Sequence, residues 1–245
     1  FLTQEVMKED EVVAALDRIA KRGSQGVCLK ARDVPRIRTA VDKLISMGIP
    51  VVTFVTDIQE SDRIAYVGVD NNSAGRTAAY LVATALNNVL GTVLTIRSND
   101  RFFGEKEREI AFKQALSEKR PNLCTISVSG GGGIHYETSR ILGHTVKDLR
   151  NLRAVYSMGG GNRTILEILD DGNLAPDIYV AHDLDADNRE LIADGRINFV
   201  LYHDLCADIL NVFQTFLQFH KLHPSGALNK MSIVHVITPE NMRDW

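Results

Sequence analysis

The hydrophobic and polar residues of this chain follow two alternating spacings, which predict a regular succession of strands and helices. Short apolar runs predict buried strands, and apolar residues repeating every three or four positions predict helices with one buried face. The predicted strands are Phe1–Gln4, Gly26–Lys30, Pro50–Val55, Tyr66–Val69, Thr92–Arg97, Leu123–Ser129, Ala154–Met158, Asp177–His182, Asn198–Tyr202 and Ser232–Ile237. The predicted helices are Lys8–Arg22, Arg36–Met47, Ser73–Leu86, Glu105–Lys119, His135–Leu149, Asn162–Asp171, Asp185–Ala193 and Leu205–Leu222. Strands alternating with helices form βαβ units, so the pattern predicts an α/β fold with parallel sheets.

The segment Tyr66–Leu86 indicates where such a fold would hold a ligand. Its short apolar strand ends at the polar turn Asp70–Ser73, and Ser73 is the predicted N-cap of the following helix. Open α/β sheets bind ligands beyond the carboxyl ends of their strands. We therefore expect polar residues at strand ends and helix starts to form the site.

Composition and charge exclude several classes of protein. The 245 residues are 44% hydrophobic and 24% charged, as is usual for a globular protein, and the formal net charge is −3. The chain therefore lacks the basic character of a nucleic-acid-binding surface, so any contact with DNA needs another segment. No apolar run approaches the roughly 18–20 residues that span a bilayer, and the first residues do not form a signal peptide. No association with a membrane is expected.

The cysteines indicate a reducing compartment. Cys28, Cys124 and Cys206 are odd in number, lie far apart and include no C-x-x-C pair. This spacing argues against a disulfide framework or a zinc site, and it favours reduced thiols in the cytoplasm. As small hydrophobes, the three side chains are expected to be buried.

Neither the glycine-rich segments nor the polar residues form a catalytic or cofactor motif. Gly130–Gly133 are not followed by the Gly-Lys-Ser/Thr of a phosphate-binding loop. Gly159–Gly161 do not form a dinucleotide motif, because Thr164 stands where the last glycine is required. No Ser-His-Asp order or metal-ligand set is present, so the sequence predicts a protein that is not an enzyme and takes no cofactor.

Three separated stretches carry a resemblance to a known family. The segments Ile49–Leu81, Arg97–Leu116 and Ile178–Leu205 resemble signatures of the type I periplasmic-binding-protein superfamily, which includes the sugar-sensing domains of LacI-type transcription regulators. The resemblance implies two doubly wound parallel-sheet lobes joined by a three-crossing hinge. The first lobe would comprise residues 1–69 and 203–230, and the second residues 70–202 and 231–245. In the superfamily, the first lobe opens with a strand and a helix that precede the segment resembling Phe1–Gln4. These two elements are not in this sequence, so we expect this chain to be a fragment.

The resemblance also implies a ligand site in the cleft between the lobes. The residues that align or stand at equivalent places are Asp57, Arg108, Tyr136, Asp183 and His203. Asp57 and His203 are expected on the first lobe and the other three on the second. Arg108 would grip hydroxyls or a carboxylate, Tyr136 would stack on a sugar face, and Asp183 would accept from sugar hydroxyls.

Each of these assignments has a simpler alternative in the residues themselves. Arg108 could be a surface arginine paired with Glu105 or Glu107, and Tyr136 could pack on the surface. His203 and Asp204 could be a helix-capping pair. The turn after Tyr156 departs from the Ala-Asn-Asp common in relatives, so ligand contact there would come from backbone N–H groups or from Asn162. The apolar stripe of the last helix is interpreted as core rather than as a binding surface.

The function implied is the sugar-sensing domain of a LacI-type regulator. The effector would be a sugar, a polyol or a sugar acid. DNA would be bound as a homodimer through a helix-turn-helix upstream of this chain. The alternative is a periplasmic sugar-binding protein of an ABC transporter, which shares the fold and the cleft.

Overall fold

The computed structural model describes residues 8–98, 102–131, 135–224 and 231–242. The predicted strand Phe1–Gln4 lies outside the described residues. The helices are α1 (Glu9–Arg22), α2 (Pro35–Ser46), α3 (Asn71–Ala85), α4 (Phe103–Lys119), α5 (His135–Asp148), α6 (Asn162–Asp171), α7 (Ala186–Ala193) and α8 (Leu205–Phe219). The strands are β1 (Val27–Leu29), β2 (Val51–Phe54), β3 (Ala65–Val69), β4 (Gly91–Arg97), β5 (Leu123–Ser129), β6 (Leu152–Ser157), β7 (Ile178–His182), β8 (Phe199–Tyr202), β9 (Met231–Ser232) and β10 (His235–Ile237).

The described residues fall into two units, each built on its own sheet. The first unit contains residues 8–69, 102–103, 204–224 and 231–232, and the second contains the remaining described residues. The first sheet has the strand order β1-β2-β3-β9, and the second has the order β10-β8-β7-β6-β4-β5. The predicted α/β fold with parallel sheets is confirmed.

The first unit packs helices onto a parallel sheet. Its main core lies between α1, α2 and the sheet, and includes Leu16, Val41, Leu44 and Val51. Here the apolar face predicted from three- and four-residue spacing is buried. Burying large aliphatic side chains stabilises a fold by about 1.5–3 kcal/mol each, so this core holds the two helices to the strands.

Helix α8 of the first unit differs from its prediction. Val212 is buried beside β2 and β3, and Phe216 packs on the same cluster. Phe213 is 61% exposed and Phe219 is 44% exposed, and Leu205, Ile209 and Leu210 are also exposed. The prediction that the whole stripe is core is wrong, because only one side of α8 packs against the described sheet.

The second unit encloses the larger core. Strands β4 to β8 run parallel, and β10 pairs with β8 in the antiparallel sense. Leu94, Val155, Tyr179 and Val200 point into a core that is covered by the helices of this unit. The parallel arrangement places the carboxyl ends of β4, β6, β7 and β8 along one edge of the sheet.

The last predicted strand is two strands. Met231–Ser232 forms β9 on the first sheet beside β3, and His235–Ile237 forms β10 on the second sheet beside β8. The prediction placed residues 231–232 in the second lobe, whereas they belong to the first unit. Within this one predicted strand, the chain leaves the first sheet and joins the second. The spacing of hydrophobic residues does not show which strand each residue pairs with.

Two local expectations also need correction. Asp70, and not Ser73, is the N-cap of α3, since the carboxylate of Asp70 accepts from the Ser73 backbone N–H at 3.0 Å. The cysteines are unpaired as expected, but Cys28, Cys124 and Cys206 are exposed rather than buried. Cys28 and Cys124 lie at strand positions that face away from the cores, which accounts for their exposure.

Candidate functional site

Polar side chains and one backbone carbonyl, that of Met158, gather at the carboxyl ends of the parallel strands of the second unit. Ser98 follows β4, Met158 follows β6, His182 ends β7 and His203 follows β8. Asn71, in the first turn of α3, contacts this group through Arg108. The site therefore lies where an open α/β sheet ordinarily presents its binding groups.

Arg108 lies at the centre of this group. Its side chain comes from α4, and the residue is only 6% exposed. Arg108 Nε donates to Asn71 Oδ1 at 2.8 Å, and Nη1 donates to the Met158 carbonyl at 3.3 Å. Because Arg108 is buried, the alternative of a surface arginine does not hold.

Glu105 has a different partner. Its carboxylate accepts from the backbone N–H of Ser98 at 2.7 Å and also from the Ser98 hydroxyl. This contact ties the first turn of α4 to the end of β4. It fixes the helix from which Arg108 projects.

A buried tyrosine–histidine pair lies beside Arg108. The Tyr156 hydroxyl and His182 Nε2 are 2.8 Å apart, and the two rings are tilted with centroids separated by 5.6 Å. Burial lowers the pKa of His182 well below its usual value, and Arg108 and His203 act in the same direction. Burial likewise raises the pKa of Tyr156. Both groups are therefore neutral near pH 7, and the pair adds no charge to the site.

The loops after β6 and β7 are joined by an amide network. Asn162 Nδ2 donates to Asn188 Oδ1 at 2.8 Å, and the Tyr179 hydroxyl donates to Asn162 Oδ1 at 2.9 Å. Asn188 Nδ2 in turn donates to the carbonyls of His182 at 2.9 Å and of Asp183 at 2.7 Å. Asn162 is thus engaged inside the protein, which argues against the direct ligand contact considered from the sequence.

This network holds the backbone of Asp183 through the hydrogen bond from Asn188. Its backbone has a φ of 65°, which is uncommon for a residue other than glycine, and its side chain is exposed. The hydrogen bond from Asn188 to its carbonyl and the one from its own N–H to the Leu201 carbonyl, at 3.0 Å, hold this conformation. The carboxylate therefore stands clear of the strand end, where it can accept hydrogen bonds.

His203 is placed in the second unit and not in the first lobe as predicted. Tyr202 pairs with His235 at the end of β8, so the chain stays with the second sheet through His203. Asp204 then begins α8 by accepting from the N–H groups of Cys206 and Ala207 at 2.9 and 3.1 Å. His203 is buried, and its electrostatic effect contributes to the lowered pKa of His182, so it lies within electrostatic range of that ring.

Asp57 and Tyr136 have other surroundings. In the first unit, Asp57 accepts two hydrogen bonds from Arg63, one from the Thr53 hydroxyl at 2.7 Å and one from the Ile58 N–H at 2.8 Å. Burial opposes the charge on Asp57, but the bonds from Arg63 and Thr53 outweigh it and lower the pKa of the carboxyl. Tyr136 is 71% exposed on α5, and no described hydrogen bond or ring contact links it to Arg108. A ligand role for either residue stays a prediction.

The residues that surround Arg108 were not predicted from the sequence. Tyr156 and His182 occupy inward-facing positions of apolar strands, where a polar ring is indistinguishable in sequence from an ordinary core residue. Asn71 was assigned to the turn before α3. The only sequence signal for these three was their place at a strand end or a helix start.

Other kinds of site find little support in the described part of the chain. No group of three His, Cys, Asp or Glu side chains there is arranged to hold a metal ion. None of the described helices combines the length and apolar character needed to cross a membrane. An open groove of about 430 Å³ runs beside α3, but its lining, which includes Arg76, Tyr80 and Lys119, does not include Arg108.

Known proteins share this architecture. The family model described as "Periplasmic binding protein domain" matches residues 5–205. No curated protein sequence matches the chain at a significant level.

Solved structures match over nearly the whole chain. An ABC transporter solute-binding protein from Burkholderia graminis, in complex with D-arabinose, is 20% identical with a TM-score of 0.86, covering 100% of this chain and 86% of that one. A periplasmic solute-binding protein from Actinobacillus succinogenes with bound D-allose is 12% identical with a TM-score of 0.83, covering 100% and 87%. A candidate LacI transcriptional regulator from Bacteroides fragilis is 18% identical with a TM-score of 0.83, covering 97% and 83%. At these identities the likeness concerns the fold.

Proposed function

We propose that this chain, which belongs to the periplasmic binding protein domain family, binds a small sugar-like ligand as the effector-binding domain of a LacI-type transcription regulator. The observation that carries the ligand proposal is the buried Arg108, which lies at the carboxyl ends of the second sheet and makes only two hydrogen bonds with the described residues. A guanidinium held in one orientation is suited to bidentate binding of neighbouring oxygen atoms. Asp183 would complement it by accepting from hydroxyl groups.

The regulator proposal goes further than ligand binding. In it, the protein is cytoplasmic and forms a homodimer, and a helix-turn-helix encoded upstream reads DNA. The ligand would act by binding one arrangement of the domain more tightly than another, which shifts the population between the two. Support comes from the unpaired cysteines and from the likeness in fold to the Bacteroides fragilis protein.

The alternative is a sugar-binding protein that serves a transporter. The fold matches to two solute-binding proteins, one with D-arabinose and one with D-allose, favour it. Only the regulator is expected to bind DNA. A mobility-shift measurement with the full-length gene product and its own upstream region, with and without ligand, would show ligand-dependent binding for the regulator. A full-length product that begins with a signal peptide and binds no DNA would contradict that proposal.

Ligand binding is tested by calorimetric titration against a panel of pentoses, hexoses, polyols and sugar acids. We expect one class to bind, and Arg108→Ala to weaken that binding by about 2–3 kcal/mol through loss of charged hydrogen bonds. Arg163→Gln is the matched control, because Arg163 is an exposed arginine of the same unit that pairs with Asp187 and Glu190. If no member of the panel binds the wild type, or if Arg108→Ala binds undiminished, the ligand proposal is wrong. Release of product from a bound sugar would instead identify an enzyme.

A further inference from the structure

Helix α8 of the first unit keeps one side of its surface apolar and exposed. Its other side packs on β2 and β3 through Val212, and Asp208 and Thr215 are buried on that same side. The exposed side carries large apolar residues whose exposed fractions run from 36% to 61%. They are Leu205, Ile209, Leu210, Phe213 and Leu217, and Cys206 is exposed among them. This set is called the exposed face of α8 below.

The exposed face of α8 has the size of the apolar part of a protein interface. At roughly 200 Å² for a large apolar side chain, its exposed fractions amount to roughly 500 Å². A standard interface buries roughly 800 Å² on each partner, and about 65% of a homodimer interface is apolar, which is again about 500 Å². A contiguous apolar patch of this size ordinarily marks an interaction site.

The spacing of the exposed face fits a second helix. Cys206, Leu210, Phe213 and Leu217 follow one another in steps of four, three and four residues. This is the spacing with which two helices pack side chains into each other along a seam. The only charged residue within α8 is Asp208, which is 1% exposed. The exposed face therefore carries no charge that would repel an identical face.

Opposite charges lie at the two ends of α8. Asp204 is its N-cap, and the exposed Lys221 follows its last turn, at nearly the same number of residues from Phe213. In an antiparallel pair of α8 helices with Phe213 at the two-fold axis, each Asp204 faces Lys221 of the other copy, whereas a parallel pair brings like charges together. Antiparallel packing also sets the positive end of each helix dipole beside the negative end of the other. The charges thus make α8 complementary to an antiparallel copy of itself.

We infer that the chain forms a two-fold homodimer in which the exposed face of α8 packs antiparallel against the same face of a second copy. This inference rests on the homodimer of the proposed function and names its surface. In this dimer Phe213 packs against Phe213 of the second copy, and Leu210 packs against Leu217. The contact uses the same patch on both copies, so the assembly closes at two.

Sedimentation velocity of the full-length gene product over a range of concentrations tests the surface. Wild type should be a dimer, and Phe213→Glu should raise its dissociation constant at least about 30-fold, because two like charges then meet in an apolar interface. Phe213 is exposed, so the variant should melt like wild type. Ile110→Glu is the matched control, since Ile110 is a 57% exposed residue of α4 in the second unit, and it should leave the constant unchanged.

Two results would overturn the inference and are distinguishable from each other. A wild type that stays monomeric at micromolar concentration also removes the homodimer from the regulator proposal, while calorimetric titration decides ligand binding separately. A dimer that Phe213→Glu leaves intact forms through another surface, which overturns the inference and leaves the proposed function standing.

The variant Lys221→Glu tests the antiparallel sense. It places a carboxylate against Asp204 of the second copy, so the dissociation constant should rise about three- to tenfold, and less so in high salt. In a parallel dimer residue 221 would face itself, and the constant would stay the same. An unchanged constant therefore overturns the arrangement.

The thiol of Cys206 reports what covers the exposed face. A maleimide reagent, with the labelled peptides identified by mass spectrometry, should modify Cys206 slowly in the wild-type dimer and markedly faster in Phe213→Glu. Cys124, which is exposed in the second unit, should react equally in both and serves as the control. If Cys206 stays protected in a monomeric Phe213→Glu protein, another segment of the same polypeptide covers the face and the inference is wrong.

Discussion

Replacing Gly75 by alanine should strongly destabilise the second unit, although alanine is the better helix former. Gly75 lies in α3 against α4, and a Cβ built at this position would be 2.2 Å from the Arg108 carbonyl oxygen and 3.0 Å from Ala111 Cβ. Ordinary contact begins near 3.4 Å, so α3 and α4 must separate by about 1.2 Å along that line. The obstacle is backbone, which cannot move aside as a flexible side chain can.

The expected magnitude follows from two opposing effects. Alanine gains about 1 kcal/mol over glycine in a helix interior. Overpacking costs about 1–3 kcal/mol and more where backbone must shift, so we take about 3 kcal/mol here. The net loss in the free energy of unfolding is then about 2 kcal/mol, or about 4–8 °C in melting temperature for a chain of this size.

Gly143→Ala is the matched comparison. Gly143 also lies within a helix, α5, but nothing comes within 4 Å of the position of its Cβ. This substitution should stabilise the protein by about 0.5–1 kcal/mol. Thermal and urea unfolding, followed by circular dichroism, would measure both variants. If Gly75→Ala is neutral or stabilising like Gly143→Ala, α3 and α4 do not approach as closely as described.

Three further predictions concern polar contacts in the two units. Asp57→Asn should lower the free energy of unfolding by about 3 kcal/mol at pH 7, because it leaves the partly buried Arg63 without its counter-ion. The folded-state pKa of Asp57 lies below its usual value, so wild type keeps this advantage above about pH 4 and loses it as the pH falls through the lowered pKa. Urea titrations at several pH values would show this, and a difference that does not shrink at all as the pH falls below about 4 would contradict the assignment. Asn188→Ala should lower the free energy of unfolding by about 2–4 kcal/mol, because it leaves the carbonyls of His182 and Asp183 without their donor. It should also weaken ligand binding; thermal unfolding measures the first effect and calorimetric titration the second. Unchanged binding would mean that other contacts fix this loop. Asp204→Ala should cost about 1 kcal/mol through loss of the α8 cap, and Asp204→Asn much less.

Most helices and strands could be predicted from the sequence, because the spacing of apolar residues that defines them is a local property of the chain. The sequence analysis assigned the cap of α3 to Ser73, but Asp70, three residues earlier, is an equally good cap, and its carboxylate accepts from the Ser73 N–H. The division of the last strand into β9 and β10 depends on which neighbour each residue pairs with, which is a tertiary property.

Only part of the candidate site could be predicted from the sequence. Arg108 stands among charged residues on α4, so only the family resemblance separated it from a surface arginine. The Tyr156–His182 pair forms between the neighbouring strands β6 and β7, and the place of each residue near a strand end does not show that the two side chains meet. His203 was expected in the first lobe because the strand pairing that keeps it in the second unit involves residues near the end of the chain.

The amide network of Asn162 and Asn188 has a consequence for the kinetics of recognition. Because the two asparagines hold the loops after β6 and β7 to each other, those loops are already ordered before any ligand arrives. Little conformational entropy is then lost there on binding, so more of the contact energy appears as affinity. Because affinity differences between related complexes lie mostly in the dissociation rate, the network should chiefly slow the release of the proposed ligand.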